Sequence, residues 1–106
     1  MSDIPCVNLF ARLAAEDPSR LITMLGDGSL SNADLTFAAE EAGRCGDAAC
    51  AALLALLGHE SAVVREGAIY GLQRLEPSPT ITDTLTRIAA SDPSPGVRSA
   101  AAEVYP

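Results

Sequence analysis

The sequence predicts an all-α fold of short helical hairpins stacked in layers, on three observations. The stretch Ser61-Ala62-Val63-Val64-Arg65-Glu66-Gly67-Ala68 returns about 33 residues later as Ser94-Pro95-Gly96-Val97-Arg98-Ser99-Ala100-Ala101, the period of an array built from copies of one hairpin. Apolar residues recur at three and four positions along most of the chain, the spacing of one helix face. Apolar residues make up 48% of the 106, yet only four are Phe or Tyr and none is Trp, so the interior must be filled by Ala and Leu at close helix spacing. A chain of this length forms one domain of about three hairpins.

The elements follow in order. Ile4, Val7, Leu9, Phe10, Leu13 and Ala14 describe one amphipathic helix ending near Glu16-Asp17-Pro18. Asp17-Pro18 opens a second, with Leu21, Ile22, Met24 and Leu25 as its apolar face and Gly26-Asp27-Gly28 as its stop. Ser31 or Asn32 caps a third, whose buried stripe is Leu35, Ala38, Ala39 and Ala42, with Asp34 in the first turn favoured by the helix dipole. Gly43 to Gly46 ends it. The run from Ala48 to Leu57 is apolar on every side and too short for a membrane, so it is expected to be buried between neighbours as the centre of the core.

Ser61 caps the next helix, with Val64, Gly67, Ala68, Gly71, Leu72 and Leu75 inward, until Pro77 and Pro79 break the chain. Ser78 or Thr80 begins another, carrying Ile81, Leu85, Ile88 and Ala89 to Asp92-Pro93. Ser94-Pro95 starts the last, with Pro in the first helical position, where no amide hydrogen is missed, and Val97, Ala100, Ala101 and Val104 inward.

Composition narrows the function. Seven basic residues against fourteen acidic ones give a formal charge of −7, which disfavours nucleic acid as a partner and suits a basic protein or peptide. All the basic residues are Arg and none is Lys, which together with the abundant Ala reads as the coding bias of a GC-rich bacterial genome. The amino terminus lacks the basic and then apolar pattern of a secretory signal, and no segment is apolar for the ~18 residues of a membrane span, so a cytoplasmic protein without a membrane partner is expected. Cys6, Cys45 and Cys50 are odd in number and not spaced as a CxxC pair, so neither a disulfide framework nor a zinc site is supported; Cys6 and Cys50 are expected as small buried apolar groups.

The segment from Leu85 to Ala102, with Asp92-Pro93-Ser94-Pro95-Gly96-Val97-Arg98 at its centre, closely resembles a HEAT repeat of the short bacterial kind also seen in phycobilisome lyases. In that family an Asp in the turn precedes an Arg in the second helix by six residues, and Asp92 and Arg98 keep this spacing; such pairs tie neighbouring repeats into a ladder. The preceding copy has Arg65 but places His59 where the Asp would be, and the copy before that, roughly Arg20 to Arg44, has Thr36 in place of the Arg. The resemblance implies a short right-handed α-solenoid of about three hairpins in which the second helix of each lines the concave side. Its divisions are a capping helix over 1–18, a diverged repeat over 19–45, and repeats over 46–77 and 78–106.

With the second helices inward, the residues left facing out are Phe37, Glu40 and Glu41 in the first, Glu66, Ile69, Tyr70 and Gln73 in the second, and Ser99, Ala102 and Glu103 in the third. Repeat alignment makes Phe37, Glu66 and Ser99 equivalent, as it does Glu40, Ile69 and Ala102, and Glu41, Tyr70 and Glu103. Acids interleaved with Phe37, Ile69 and Tyr70 form a surface suited to a basic, partly apolar segment, the apolar groups supplying buried area and the acids orientation. Arg65, Asp92 and Arg98 are expected to serve the ladder.

Catalysis, metal and cofactor find no support. His59 has no second His or Cys at ligand spacing, the Ser residues sit at helix caps with no Gly-x-Ser-x-Gly elbow, and Glu40-Glu41 do not converge. Asp27 to Asp34 resembles the second half of a calcium loop, but Thr23 and Leu25 would occupy its leading ligand positions. An apolar end formed by Val104, Tyr105, Ile81, Leu85 and Ile88 offers a route to self-association. The expected function is a non-enzymatic scaffold or adaptor that binds another protein. The rival expectations are a lyase-like accessory of a chromophore-bearing protein and an acidic neutraliser of a basic enzyme or toxin.

Overall fold

Local side-chain chemistry sets where the helices begin. The computed structural model describes the backbone of residues 6–103 and side chains from Leu9 onward. Helix α1 (Cys6–Glu16) closes with the Asp17 amide donating to the Leu13 carbonyl at 2.8 Å. Asp17 then caps α2 (Pro18–Gly26), accepting from the Arg20 amide, with Pro18 in the first turn. Ser31 caps α3 (Asn32–Ala42), its hydroxyl accepting from the Asp34 amide at 3.2 Å.

A 3-10 helix (Gly43–Ala49) carries the chain out of α3, broken at Gly46, whose φ of 70° and ψ of −154° only glycine adopts without strain. It leads into α4 (Cys50–Leu56) and then α5 (Ala62–Gln73). Ser78 caps α6 (Pro79–Ser91), accepting from the Ile81 amide at 3.3 Å, and Ser94-Pro95 opens α7 (Pro95–Ala102).

Helices α2 and α3, α4 and α5, and α6 and α7 pack as successive pairs, while α1, α3, α5 and α7 lie side by side as one layer with α2, α4 and α6 on its back. The stack is elongated, 45 × 25 × 24 Å. It is a short all-α solenoid, the product of hairpins that cannot bury their apolar sides alone.

The core centres where α3 meets α5, and not on α4 as its composition suggests. Ala38, Ala39, Ala42, Val64, Ala68 and Leu72 are fully buried there. In α4 Leu53 and Leu56 are buried, but Ala51 and Ala55 are exposed. The helix is covered on one side only, and an exposed Ala leaves little apolar area in water, at about 25 cal/mol per Å². Leu9 likewise leaves the stripe assigned to it: α1 ends the layer, has a neighbour on one flank, and leaves Leu9 44% exposed.

Two glycines of α5 bring the α3 and α5 backbones together. A Cβ at Gly67 would stand 2.7 Å from the Thr36 carbonyl oxygen, and one at Gly71 would collide with the Ala39 carbonyl. Gly43 completes the seam from the other side, against the Gly71 carbonyl. Such an approach admits no larger residue, which explains why small side chains line both helices.

Cys50 is half-buried against the core rather than sequestered, and the Cys6 side chain lies outside the described part. Val104 and Tyr105 of the expected apolar end also lie outside the described residues, while Ile81 and Leu85 of that set are buried in the core.

Candidate interaction face

The turns and the second helices are joined by a guanidinium. Arg65, on α5, donates from Nε to Asp92 Oδ2 and from its terminal nitrogen to Asp92 Oδ1, each at 3.0 Å, and its other terminal nitrogen donates to the His59 carbonyl at 2.8 Å and the Glu60 carbonyl at 3.2 Å. Both partners are nearly buried, so the bidentate geometry operates with little solvent screening. Arg98, on α7, donates to the Asp92 backbone carbonyl, the same six-residue reach that Arg65 makes to His59.

Asp92 also accepts the Ser94 amide at 2.9 Å. Burial alone would raise its carboxyl, but the Arg65 hydrogen bonds, the Ser94 amide and the nearby Arg65 and Arg98 charges outweigh that and hold it below the ordinary carboxylate range. His59 fills the equivalent place: its Nδ1 accepts the Ser61 amide at 2.9 Å, as Asp92 accepts that of Ser94. The preceding repeat has Thr36 where an Arg would reach forward, its hydroxyl bonded back to the Asn32 carbonyl at 2.8 Å, so position 59 needs a turn acceptor but no anion.

Opposite α2, α4 and α6, the layer of α1, α3, α5 and α7 presents its other surface. Among the described residues the exposed large apolar side chains are Leu9, Phe37, Val63 and Tyr70, all on α1, α3 and α5 and none on the back helices. Helix α3 is flanked by α1 and α5 and backed by α2, and α5 is flanked by α3 and α7 and backed by α4, so the open side of each is this front.

Tyr70 lies among the carboxylates of Glu40 on α3, Glu66 on its own helix and Glu103 just past α7. Partial burial first, then these three charges, raise its phenol above the ordinary range. Glu40 is half-buried, and burial raises its carboxyl against the opposing pull of Arg74. Among the described residues none of the three carboxylates has a cation at ion-pair distance. Glu66 reaches to the start of α7, where Gly96 leaves it room: a Cβ there would stand 2.9 Å from Glu66 Oε2.

Two residues expected on this face are turned away from it. Ile69 is 0% exposed, because α5 is packed on three sides and its buried arc is wider than one stripe. Glu41 is buried and paired, with Arg44 Nε 2.8 Å and Arg74 3.8 Å from its Oε1, an ion pair in which no hydrogen bond to that oxygen is formed. Gln73 is half-buried and donates to the Ala100 carbonyl at 3.4 Å, joining α5 to α7.

Sequence reasoning missed Leu9 and Val63. Val63 is equivalent by repeat to Asp34 and Gly96, and the polarity of that row was the available signal. Among the described residues no three His, Cys, Asp or Glu side chains are grouped to hold a metal ion, and no helix is long and apolar enough to cross a membrane.

Layered helical pairs linked turn to helix by an arginine define a helical-repeat protein of the solenoid class. A family model described as HEAT repeats matches residues 18–105, and the chain belongs to that family. The match takes in the three helix pairs from α2 to α7 and leaves out α1. Comparison with curated proteins and with solved structures gives no match.

Proposed function

We propose that this protein is a non-enzymatic, cytoplasmic scaffold that binds another protein through the α1/α3/α5/α7 face, holding a basic and partly apolar segment. HEAT repeats are commonly protein-interaction scaffolds, and a stack of this kind offers area more readily than a reaction crevice. The observation that carries the reading is the segregation of exposed apolar side chains to the front layer, beside carboxylates that have no cation at ion-pair distance among the described residues. Phe37 and Tyr70 supply contact area, Glu40, Glu66 and Glu103 supply charge, and Gln73 borders them. Glu41 and Ile69 support the face from beneath, as the Arg65, Asp92 and Arg98 ladder supports the stack.

The test replaces Tyr70 and Glu66 together by Ala and measures capture of partners from a lysate against the parent protein. Loss of a captured protein, and salt sensitivity of its complex, are the expected results. Unchanged capture by a variant of unchanged helicity removes the reading.

A further inference from the structure

The chemistry of the front face selects the conformation of what it holds. An extended segment carries an unpaired amide and carbonyl at nearly every residue, and each must find a partner or stay wet when the segment is covered. The face is poor in groups that could serve the carbonyls. Gln73 already donates to the Ala100 carbonyl and Arg65 and Arg98 donate to turn carbonyls, Asn32 and Arg74 stand at opposite ends of the layer, and the donors left along its middle are the hydroxyls of Tyr70 and Ser99. Glu40, Glu66 and Glu103 only accept, and past their first turns the main chains of α3, α5 and α7 are spent within their own helices.

A segment that satisfies its backbone internally escapes this penalty. We infer that the occupant of the face is an amphipathic α-helix of a partner protein, lying across α3 and α5, with apolar residues on Phe37, Val63 and Tyr70 and arginine or lysine beside Glu40, Glu66 and Glu103. The inference rests on the binding role proposed for this face and adds the occupant's structure. Neighbouring packed helices stand about 8–10 Å apart, about five to seven residues of helix at about 1.5 Å each, so anchors for Phe37 on α3 and Tyr70 on α5 fall one to two turns apart. Phe37 aligns by repeat with Glu66, which lies between Val63 and Tyr70 on α5, so apolar and acidic groups alternate across the two helices, as a helix with basic flanks requires.

The experiment uses the intact chain and three synthetic peptides read by fluorescence anisotropy. The first is a hydrocarbon-stapled helix with two leucines about seven residues apart, flanked by arginines. The second has the same composition with two central prolines in place of the staple, and the third carries glutamate for every arginine. The stapled basic helix is expected to bind, the proline form at least tenfold more weakly, and the acidic form not at all. A Phe37→Ser/Tyr70→Ser variant of unchanged helicity is expected to lose at least tenfold for the stapled helix.

Equal binding of the proline and stapled forms overturns the helical occupant while the binding role of the face stands. Failure of all three also overturns it, the binding role then resting on the capture experiment alone. Binding that ignores the Phe37→Ser/Tyr70→Ser change overturns both. A concentration-dependent dimer abolished by that change assigns the face to a second copy and overturns the inference.

Discussion

Arg65 and Asp92, one in the middle helix pair and the other in the last turn, meet through two hydrogen bonds of 3.0 Å between fork and carboxylate. The pair is the charged link between the last two repeats, and its burial decides what its loss costs. Removing one member leaves the other buried and uncompensated, which is worse than having neither.

Arg65→Leu is therefore expected to destabilise the protein by about 3–5 kcal/mol, and Arg65→Lys by less, since an ammonium keeps the charge but not the fork. Urea denaturation at neutral pH measures both. A loss under 1 kcal/mol for Arg65→Leu contradicts this account of the link.

Acid acts on the same pair. Because the folded protein holds Asp92 below its unfolded value of about 3.9, the stability the carboxylate contributes is complete above that value and is lost as pH falls through the lower folded one. Asp92→Asn is expected to be less stable at pH 7 and to show a flatter decline below about pH 4. Melting temperature against pH, with parent and variant side by side, checks the difference in slope.

The glycine seam gives a contrast between three single-methyl changes. Gly71→Ala and Gly67→Ala push a Cβ onto the backbone of α3 and are expected to cost about 1–3 kcal/mol or more, Gly71 the greater. Gly26→Ala meets nothing within 4 Å and is expected to be neutral or to stabilise by about 0.4–1 kcal/mol. Thermal unfolding of the three variants separates crowding from backbone entropy.

Helix starts were legible because they are local. Asp17, Ser31 and Ser78 supply the cap acceptors and Pro18, Pro79 and Pro95 the fixed φ that open a helix, while Ser94 sits at its N-cap position without a side-chain cap hydrogen bond. The family followed from the Asp92 to Arg98 segment for the same reason. Facing was less legible. Ile69 and Tyr70 are adjacent and both apolar, and which is covered depends on how closely α3 approaches α5, a distance set by Gly67 and Gly71 against the backbone oxygens of Thr36 and Ala39, far back in the chain. Glu41 is buried with one cation local to it, Arg44, and a second, Arg74, brought from just past α5, a distant contact its own neighbours do not announce.

His59 offers a test of the turn. His59→Asp restores the acceptor that Asp92 supplies in the next repeat and is expected to leave stability within about 0.5 kcal/mol, whereas His59→Ala leaves the Ser61 amide without its partner and costs about 1 kcal/mol. Chemical denaturation at pH 7 ranks the two, and equal losses contradict the turn's need for an acceptor.

The crowding of Tyr70 is measurable directly. With Tyr105→Phe to leave one tyrosine, spectrophotometric titration is expected to place the Tyr70 phenol above the ordinary range. Glu66→Gln with Glu103→Gln lowers it part of the way, because burial is the largest cause and the charges come after it. No movement on neutralising both acids contradicts their proximity to the ring.

The missing arginine at position 36 leaves this short stack with two unlike joints. Between α3 and α5 the chains interlock chiefly by backbone at Gly67 and Gly71, with the looser 3.8 Å Glu41 and Arg74 ion pair at one end, whereas the joint between α5 and α7 carries the bidentate Arg65 and Asp92 clasp. Acid is therefore expected to loosen one end of the molecule before the other, with the amides of α6 and α7 exchanging first while α1 to α5 hold together as the more durable half.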